Sequence, residues 1–314
     1  MKNRFLIFVL MLAVTACNGV VKPAGRTLIA FPRVEVPSMI TDPAEKLEYS
    51  VNNWWNGFFA MTGVTDTGAV NGVAFRDVEK ALSQFLALLD GMEKERGAQA
   101  VGKLFSQIEA KQAQDTMNHV FTAMTDLVVK YLYDPNSPFR DEDLYLPFVS
   151  GMAQSVYTNP DARPGYEFEK SMCSLNPYGS VAPDFVFTDI KGARHRMHDV
   201  EAECTLLFFS NPGCSSCKDM IAELEAVKGI RSLISSGKLA IVNIYIDNEI
   251  EKWKEYAPSY PADWMTGYDQ DGIIREDVLY NVRAIPSLYV LDAGKRVLMK
   301  DVPTEKAVKY IEIL

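Results

Sequence analysis

The chain has 314 residues, 48% of them hydrophobic and 23% charged, a composition with room for two separate cores. Its formal net charge of −9 argues against nucleic acid as a partner, because phosphate binding calls for a basic face. Acidity otherwise favours solubility and names no ligand.

Lys2 and Arg4 make a positive start, and residues 5–14 form an apolar run of signal-peptide length, too short for a comfortable permanent span. The run ends in Val14-Thr15-Ala16-Cys17, which resembles a bacterial lipobox. The resemblance implies removal of residues 1–16, lipidation of Cys17, and attachment to a membrane by several acyl chains. An ordinary signal peptide with an incidental cysteine is the plainer alternative. Asn18-Gly19-Val20 lacks the acidic cluster linked to surface display in such lipoproteins, so the expected location is the cell envelope, facing the periplasm. There disulfides persist. Besides Cys17, the cysteines are Cys173, Cys204, Cys214 and Cys217, too few for a disulfide scaffold at this length.

Residues 17–40, with Pro23, Pro32 and Pro37, have no sustained period and are expected to form a tether. Asp42-Pro43-Ala44-Glu45 has the chemistry of a helix start, followed by Leu47, Val51, Trp54, Trp55, Phe58 and Phe59 on one helical face. At that spacing the tryptophans are core rather than a ligand platform. Three further helical patterns each carry one apolar face, with Val78 and Phe85, with Val101 and Phe105, and with residues from Met117 to Leu132, where His119 falls on the surface side. Tyr133-Asp134-Pro135-Asn136-Ser137-Pro138 is a tight connection in which turn and capping geometry account for Asp134 and Arg140. A last helix carries Leu144, Phe148, Val149 and Met152. Residues 41–175 are therefore expected to form an all-helical domain of unknown role, ending in a Pro/Gly-containing stretch over 158–179.

Residues 176–314 change character. A hairpin is expected around Asp189-Ile190-Lys191-Gly192, a buried strand at 205–209, a helix over 214–235 and a second buried strand at 239–246. Helices at 249–256 and 273–282, strands at 287–291 and 296–300, and a helix at 305–314 complete an α/β pattern, a central mixed sheet with helices on both faces.

The buried strand at 205–209 leads through Pro212-Gly213 to Cys214-Ser215-Ser216-Cys217 at a helix start. A helix N-terminus favours a thiolate at the first cysteine, so Cys214 is the expected nucleophile and Cys217 the resolving thiol. Ser215 and Ser216 add hydroxyls beside the sulfur. Some seventy residues on, Ala284-Ile285-Pro286-Ser287 enters a hydrophobic strand. Together these features resemble the thioredoxin fold, and the leading hairpin resembles its membrane-tethered TlpA/ResA type. The whole chain is similar to Bacteroidota lipoproteins in which an uncharacterised helical domain with a Tyr-Leu-Tyr-Asp-Pro-Asn-Ser-Pro-like turn, here residues 131–138, precedes such a domain.

The resemblance implies that Pro286 is cis and that the backbone of Ile285 pairs with an extended substrate segment. It also exposes departures. Phe208 stands where thioredoxin has a buried acid, Met220 where ResA-like proteins often have glutamate, and Gly213 where thioredoxin has tryptophan. A proton acceptor for Cys217 must come from elsewhere, with Glu223 as the candidate, or from water. Zinc held by Cys214, Cys217, His195 and His198 is a competing use of the cysteines, but H-x2-H is tighter than usual finger spacing. Cys204 is expected to be a small core residue; Cys173 is expected in the linker, as an exposed thiol or an intermolecular partner. A Cys173–Cys204 disulfide stays open.

The expected function is a membrane-anchored thiol–disulfide oxidoreductase acting on thiols and disulfides of exported proteins, without cofactor or metal. A membrane or periplasmic electron donor or acceptor would be its redox partner. The alternative is a redox-weak thioredoxin-fold lipoprotein that serves as a protein- or peptide-binding module.

Overall fold

The computed structural model describes residues 28–314; the signal segment and Cys17 lie outside the described residues. The helical half begins at α1 (Pro43–Asn53), where the Asp42 carboxylate accepts the N–H groups of Ala44 and Glu45 at 2.9 and 3.0 Å. The continuous helix expected through Phe59 is interrupted: α2 (Asn56–Ala60) starts after a break at Trp54 and Trp55. Trp54 is half-buried, its ring N–H donating to the Ala81 carbonyl at 3.1 Å, while Trp55 is buried against Phe58 and Phe85. Phe31 joins that aromatic cluster, and the Ile29 N–H donates to the Gly72 carbonyl at 2.9 Å. The stretch read as tether is thus docked from Ile29 onward.

The first half is helical as expected, with one addition, a two-stranded hairpin of β1 (Ala69–Val70) and β2 (Val73–Ala74). Its turn is Asn71-Gly72, both at positive φ, the backbone that an Asn-Gly hairpin turn requires. Buried Asn71 also donates its side-chain N–H to the Phe58 carbonyl at 2.6 Å, which fastens the hairpin to α2. Then come α3 (Phe75–Leu89), α4 (Lys94–Gln114), α5 (Val120–Leu132), α6 (Glu142–Gln154) and α7 (Arg163–Cys173). Gly151 lets α6 lie directly on α4, since a Cβ there would come within 2.4 Å of the Phe105 ring. His119 is exposed ahead of α5, and Met117 stays outside the helix. Helix α7 occupies part of the stretch read as irregular; Pro164 and Gly165 look like breakers but sit in the first turn, where a missing N–H costs nothing. Cys173 is therefore the buried last residue of a helix, not an exposed linker thiol.

The second half forms one seven-stranded mixed sheet in the order β4-β3-β7-β6-β5-β8-β9. Its strands are β3 (Val186–Asp189), β4 (Arg194–Arg196), β5 (Cys204–Phe209), β6 (Leu239–Tyr245), β7 (Met265–Tyr268), β8 (Ser287–Asp292) and β9 (Val297–Met299). Strands β5, β6 and β7 run parallel to one another, and the remaining pairs are antiparallel. The helices are α8 (Ser215–Glu225), α9 (Ile230–Ser235), α10 (Ile250–Tyr256), α11 (Ile273–Glu276) and α12 (Thr304–Ile311). Alternation along β5 divides the core. Leu206 and Phe208 pack under α8 with Met220 and Leu224, whereas Leu207 and Phe209 face Tyr280 and Tyr289 on the other side. Each fully buried aromatic of this kind contributes about 1.5–3 kcal/mol.

Three expectations change here. Strand β7 was not anticipated, because Met-Thr-Gly-Tyr has no alternation; Gly267 is needed where a Cβ would meet the Phe187 ring at 2.5 Å. The single helix over 214–235 is two, divided at Gly229, whose φ of +82° is left-handed. The helix over 273–282 stops at Glu276, and the chain turns through Val278 at φ +51° to deliver Asn281 and Arg283 to the helical half.

Candidate redox site

Strand β5 ends at the C-terminal edge of the parallel strands, and Pro212-Gly213 turns the chain into α8. Gly213 has φ +74° and open space around its missing Cβ, so backbone conformation, not crowding, calls for glycine. Cys214 is the N-cap of α8, and its Sγ accepts the Cys217 N–H at 3.1 Å. The two cysteines are disulfide-bonded, with Cα atoms 5.2 Å apart. Their environments differ: Cys214 is half-buried, whereas Cys217 is 2% exposed and packed with Phe208 and Met220. An incoming sulfur can therefore reach Cys214 and not Cys217. Upon reduction, the N-terminal N–H groups of α8 are aimed at the Cys214 thiolate.

Glu223 does not join this pair. It is exposed, and six residues along a helix place it about 9 Å up the axis and roughly 120° round from Cys217. Phe208 is fully buried, edge-on to Trp264 with ring centroids 6.1 Å apart, and Met220 is core as well. The buried carboxylates among the described residues are Glu142, Asp269 and Asp301.

The Ile285–Pro286 peptide is cis. Residues on either side of it are tied to the helical half. Asn281 Nδ2 donates to Glu142 Oε1 at 2.7 Å, and Arg283 Nε is 3.0 Å from the same oxygen. The Arg283 guanidinium lies 4.1 Å from the centre of the Tyr133 ring, donates to the Tyr133 carbonyl, and meets Asp301 Oδ2 at 2.7 Å. Ser287 Oγ donates to Asp301 Oδ1 at 3.1 Å. Arg140 reaches across to the carbonyls of Asp301 and Val302, at 2.7 and 3.1 Å. Turn geometry accounts for Asp134, which accepts the Asn136 N–H at 2.8 Å, but not for Arg140.

This clamp is buried. Glu142 is 1% exposed, and burial pushes its carboxyl up to about 7 despite Lys300 and Arg283, which pull the other way. Lys300 anchors the chain end of the helical half, donating to the carbonyls of Cys173 and Leu175 at 2.5 and 2.8 Å. None of Glu142, Arg283, Asp301 and Lys300 was marked by sequence. Each is an ordinary charged residue until folding brings together positions more than a hundred residues apart.

Along α8, a cleft of about 460 Å³ opens between the two halves, reaching Ser216 between the two cysteines but lined by neither of them. One side is α8, through Ser216, Asp219 and Glu223; the floor includes Pro286; the other side is the turn carrying Asn136 and Arg140. The remaining candidates lie elsewhere. His195 Nε2 is 3.0 Å from Asp189 and His198 Nε2 is 2.8 Å from the Ala182 carbonyl, and no metal-binding group of three or more such ligands forms among the described residues. Cys173 and Cys204 are both buried free thiols, so no bond joins them. Burial pushes the Cys204 thiol up to about 12 and raises Cys173 further still.

Comparison with known proteins finds matches both to single halves and to nearly the whole chain. Residues 13–168 match a family described as a domain of unknown function, DUF5106. A crystal structure of a thioredoxin-like protein from Bacteroides caccae is similar over 91% of this chain and 99% of its own, at 30% identity and a TM-score of 0.75. The thiol-disulfide oxidoreductase ResA of Geobacillus kaustophilus is 22% identical over 173 residues, which is 54% of this chain and 91% of that protein.

Proposed function

The chain belongs to the thioredoxin-like proteins, and from that premise we propose that it is a membrane-anchored thiol–disulfide oxidoreductase acting on exported proteins. The observation that carries the reading is the Cys214–Cys217 disulfide at the N-terminus of α8, with its outer sulfur accessible and its inner sulfur buried. The matching oxidoreductase name of ResA supports the same chemistry.

In the exchange, a substrate thiolate attacks Cys214 Sγ. The Cys214–Cys217 bond breaks, a mixed disulfide forms at Cys214, and Cys217 leaves as a thiolate. A second substrate thiolate then attacks the substrate sulfur and expels Cys214 as a thiolate, stabilised by the helix terminus and the Cys217 N–H. Two electrons have passed from the substrate dithiol to the protein, whose dithiol passes them to a membrane or periplasmic acceptor. The reverse sequence reduces a substrate disulfide with electrons from a donor dithiol. No cofactor or metal takes part. Pro286 and the Ile285 backbone form the docking edge for the extended substrate segment. In the first sequence the Cys217 thiolate takes up a proton from solvent, and in the reverse sequence solvent receives that proton when Cys217 attacks.

The lipobox-like Val14-Thr15-Ala16-Cys17 supports attachment through lipid on Cys17 and a periplasm-facing site. No described helix is long and apolar enough to cross a membrane.

Replacing Cys217 by alanine tests the scheme: the variant accumulates a mixed disulfide at Cys214 with a cysteine-containing peptide disulfide, seen as a mass increase that dithiothreitol removes. Cys214→Ala gives no adduct. Absence of adduct in Cys217→Ala would leave the second reading, a peptide-binding module, which the apolar setting of Cys217 among Phe208 and Met220 favours.

A further inference from the structure

Among its described residues the helical half holds a single cysteine, the buried Cys173, yet it contributes a wall to the cleft that opens on the cysteine-bearing helix. That wall is the turn of Pro135, Asn136 and Pro138, and the cleft it closes continues to Pro286 on the opposite domain. The wall is held in place. Arg140 bonds to two carbonyls after β9, and Arg283, three residues before Pro286, is stacked on Tyr133 and bonded to its carbonyl. Cleft wall and docking loop are thus fixed to each other by one buried network, which bounds the cleft on both sides.

The cleft is also charged. Asp219, Glu223 and Glu305 all line it, all are exposed, and none forms an ion pair with a described residue. The one cation on the lining, Arg140, is bonded to Asp301 and the carbonyls beside it, and its charge also acts on Glu305, which leaves Asp219 and Glu223 as the acids it does not offset. Two of the acids stand on α8, two and six residues beyond Cys217, so a chain lying along α8 from the disulfide passes them in turn.

We propose that the helical half is the specificity element of the redox site: its turn at residues 135–140 and α8 together hold an extended peptide segment of the substrate, with lysine or arginine side chains next to the reacting cysteine facing Asp219, Glu223 and Glu305. The proposal rests on the oxidoreductase reading above and adds the substrate class to it. A flexible, cationic segment of an exported protein is the occupant, because an extended backbone fits a slot floored by Pro286 and positive side chains complement unpaired carboxylates.

The test uses the full-length protein in detergent, with dithiothreitol as electron source and two disulfide peptides of equal length, one with lysines and one with glutamates flanking cysteine. The readout is the ratio of their kcat/KM values, measured on the same preparation, so that partial loss of folded protein cancels. A small uncharged disulfide, hydroxyethyl disulfide, is run alongside. The wild type is expected to favour the lysine peptide by about tenfold, the size expected for a few exposed charge pairs acting together. Glu223→Lys lowers the ratio to about one or inverts it, and so does Asn136→Lys, which alters only the helical half. A wild-type ratio near one overturns the proposal. So does an Asn136→Lys ratio equal to the wild type, which would make the helical half a support and not a reader. If the wild type turns over hydroxyethyl disulfide but shows either result, the slot is refuted and the redox reading stands. If it turns over none of the three disulfides, both are refuted.

Discussion

Burial separates the four described cysteines into three behaviours. Cys173 and Cys204 are fully buried with thiols pushed far above neutrality, Cys217 is nearly as buried, and Cys214 alone is accessible at a helix start. In the reduced, folded protein, brief iodoacetamide treatment near neutral pH is therefore expected to alkylate Cys214 alone among these four. Mass spectrometry of the digest reads this directly, and Cys173 or Cys204 should be modified only after unfolding. Comparable labelling of Cys173 would contradict the buried helix end. Sequence spacing identified the Cys214–Cys217 pair because the motif is local. It misjudged Cys173, since Pro164 and Gly165 hid the helix that buries it. Glu223 was chosen as a proton acceptor on proximity in sequence, and helix geometry puts it on another side.

Among the elements, the loop between α11 and β8 is where local sequence and tertiary demand diverge most. Residues 273–282 have a helical pattern, but the chain leaves the helix at Glu276 so that Asn281 and Arg283 can meet Glu142. Arg283 is the centre of the arrangement, paired with two buried carboxylates and stacked on Tyr133. Removing one partner of a buried pair leaves the other charge uncompensated, so Arg283→Ala is expected to cost about 3–5 kcal/mol of stability. Urea unfolding followed by circular dichroism measures it, and a loss below about 1 kcal/mol would show that the clamp is not a stability element. The core strands β5, β6 and β8 were legible because buried parallel and central strands are near-continuous apolar runs. The four-residue β7 was not, since its place depends on the fit of Gly267 against Phe187.

For the whole molecule, the joint between halves carries its own pH dependence. Glu142 has an ordinary value of 4.5 that rises to about 7 in the fold, so between these values the folded protein binds more protons than the unfolded chain. Its contribution is present below about 4.5 and is lost as pH rises through about 7. Glu142→Gln keeps an acceptor for Asn281 and cannot ionise. The stability of the variant relative to wild type should therefore climb between pH 4.5 and 7, by on the order of 3 kcal/mol. Parallel stability curves for the two proteins across that window would refute this assignment. The halves themselves were separable in sequence by composition and period. Their joint was not, because Arg140, Glu142, Arg283 and Asp301 acquire meaning only across a long gap in the chain.

The reading of Cys214 as the exchange nucleophile depends most directly on its thiolate. Titrating the reduced protein by thiolate absorbance at 240 nm, with Cys214→Ser as the blank, isolates that one group. A Cys214 pKa clearly below the ordinary thiol value of about 8.5 is expected, since the α8 terminus and the Cys217 N–H both favour the anion. A value at or above 8.5 would contradict that reading.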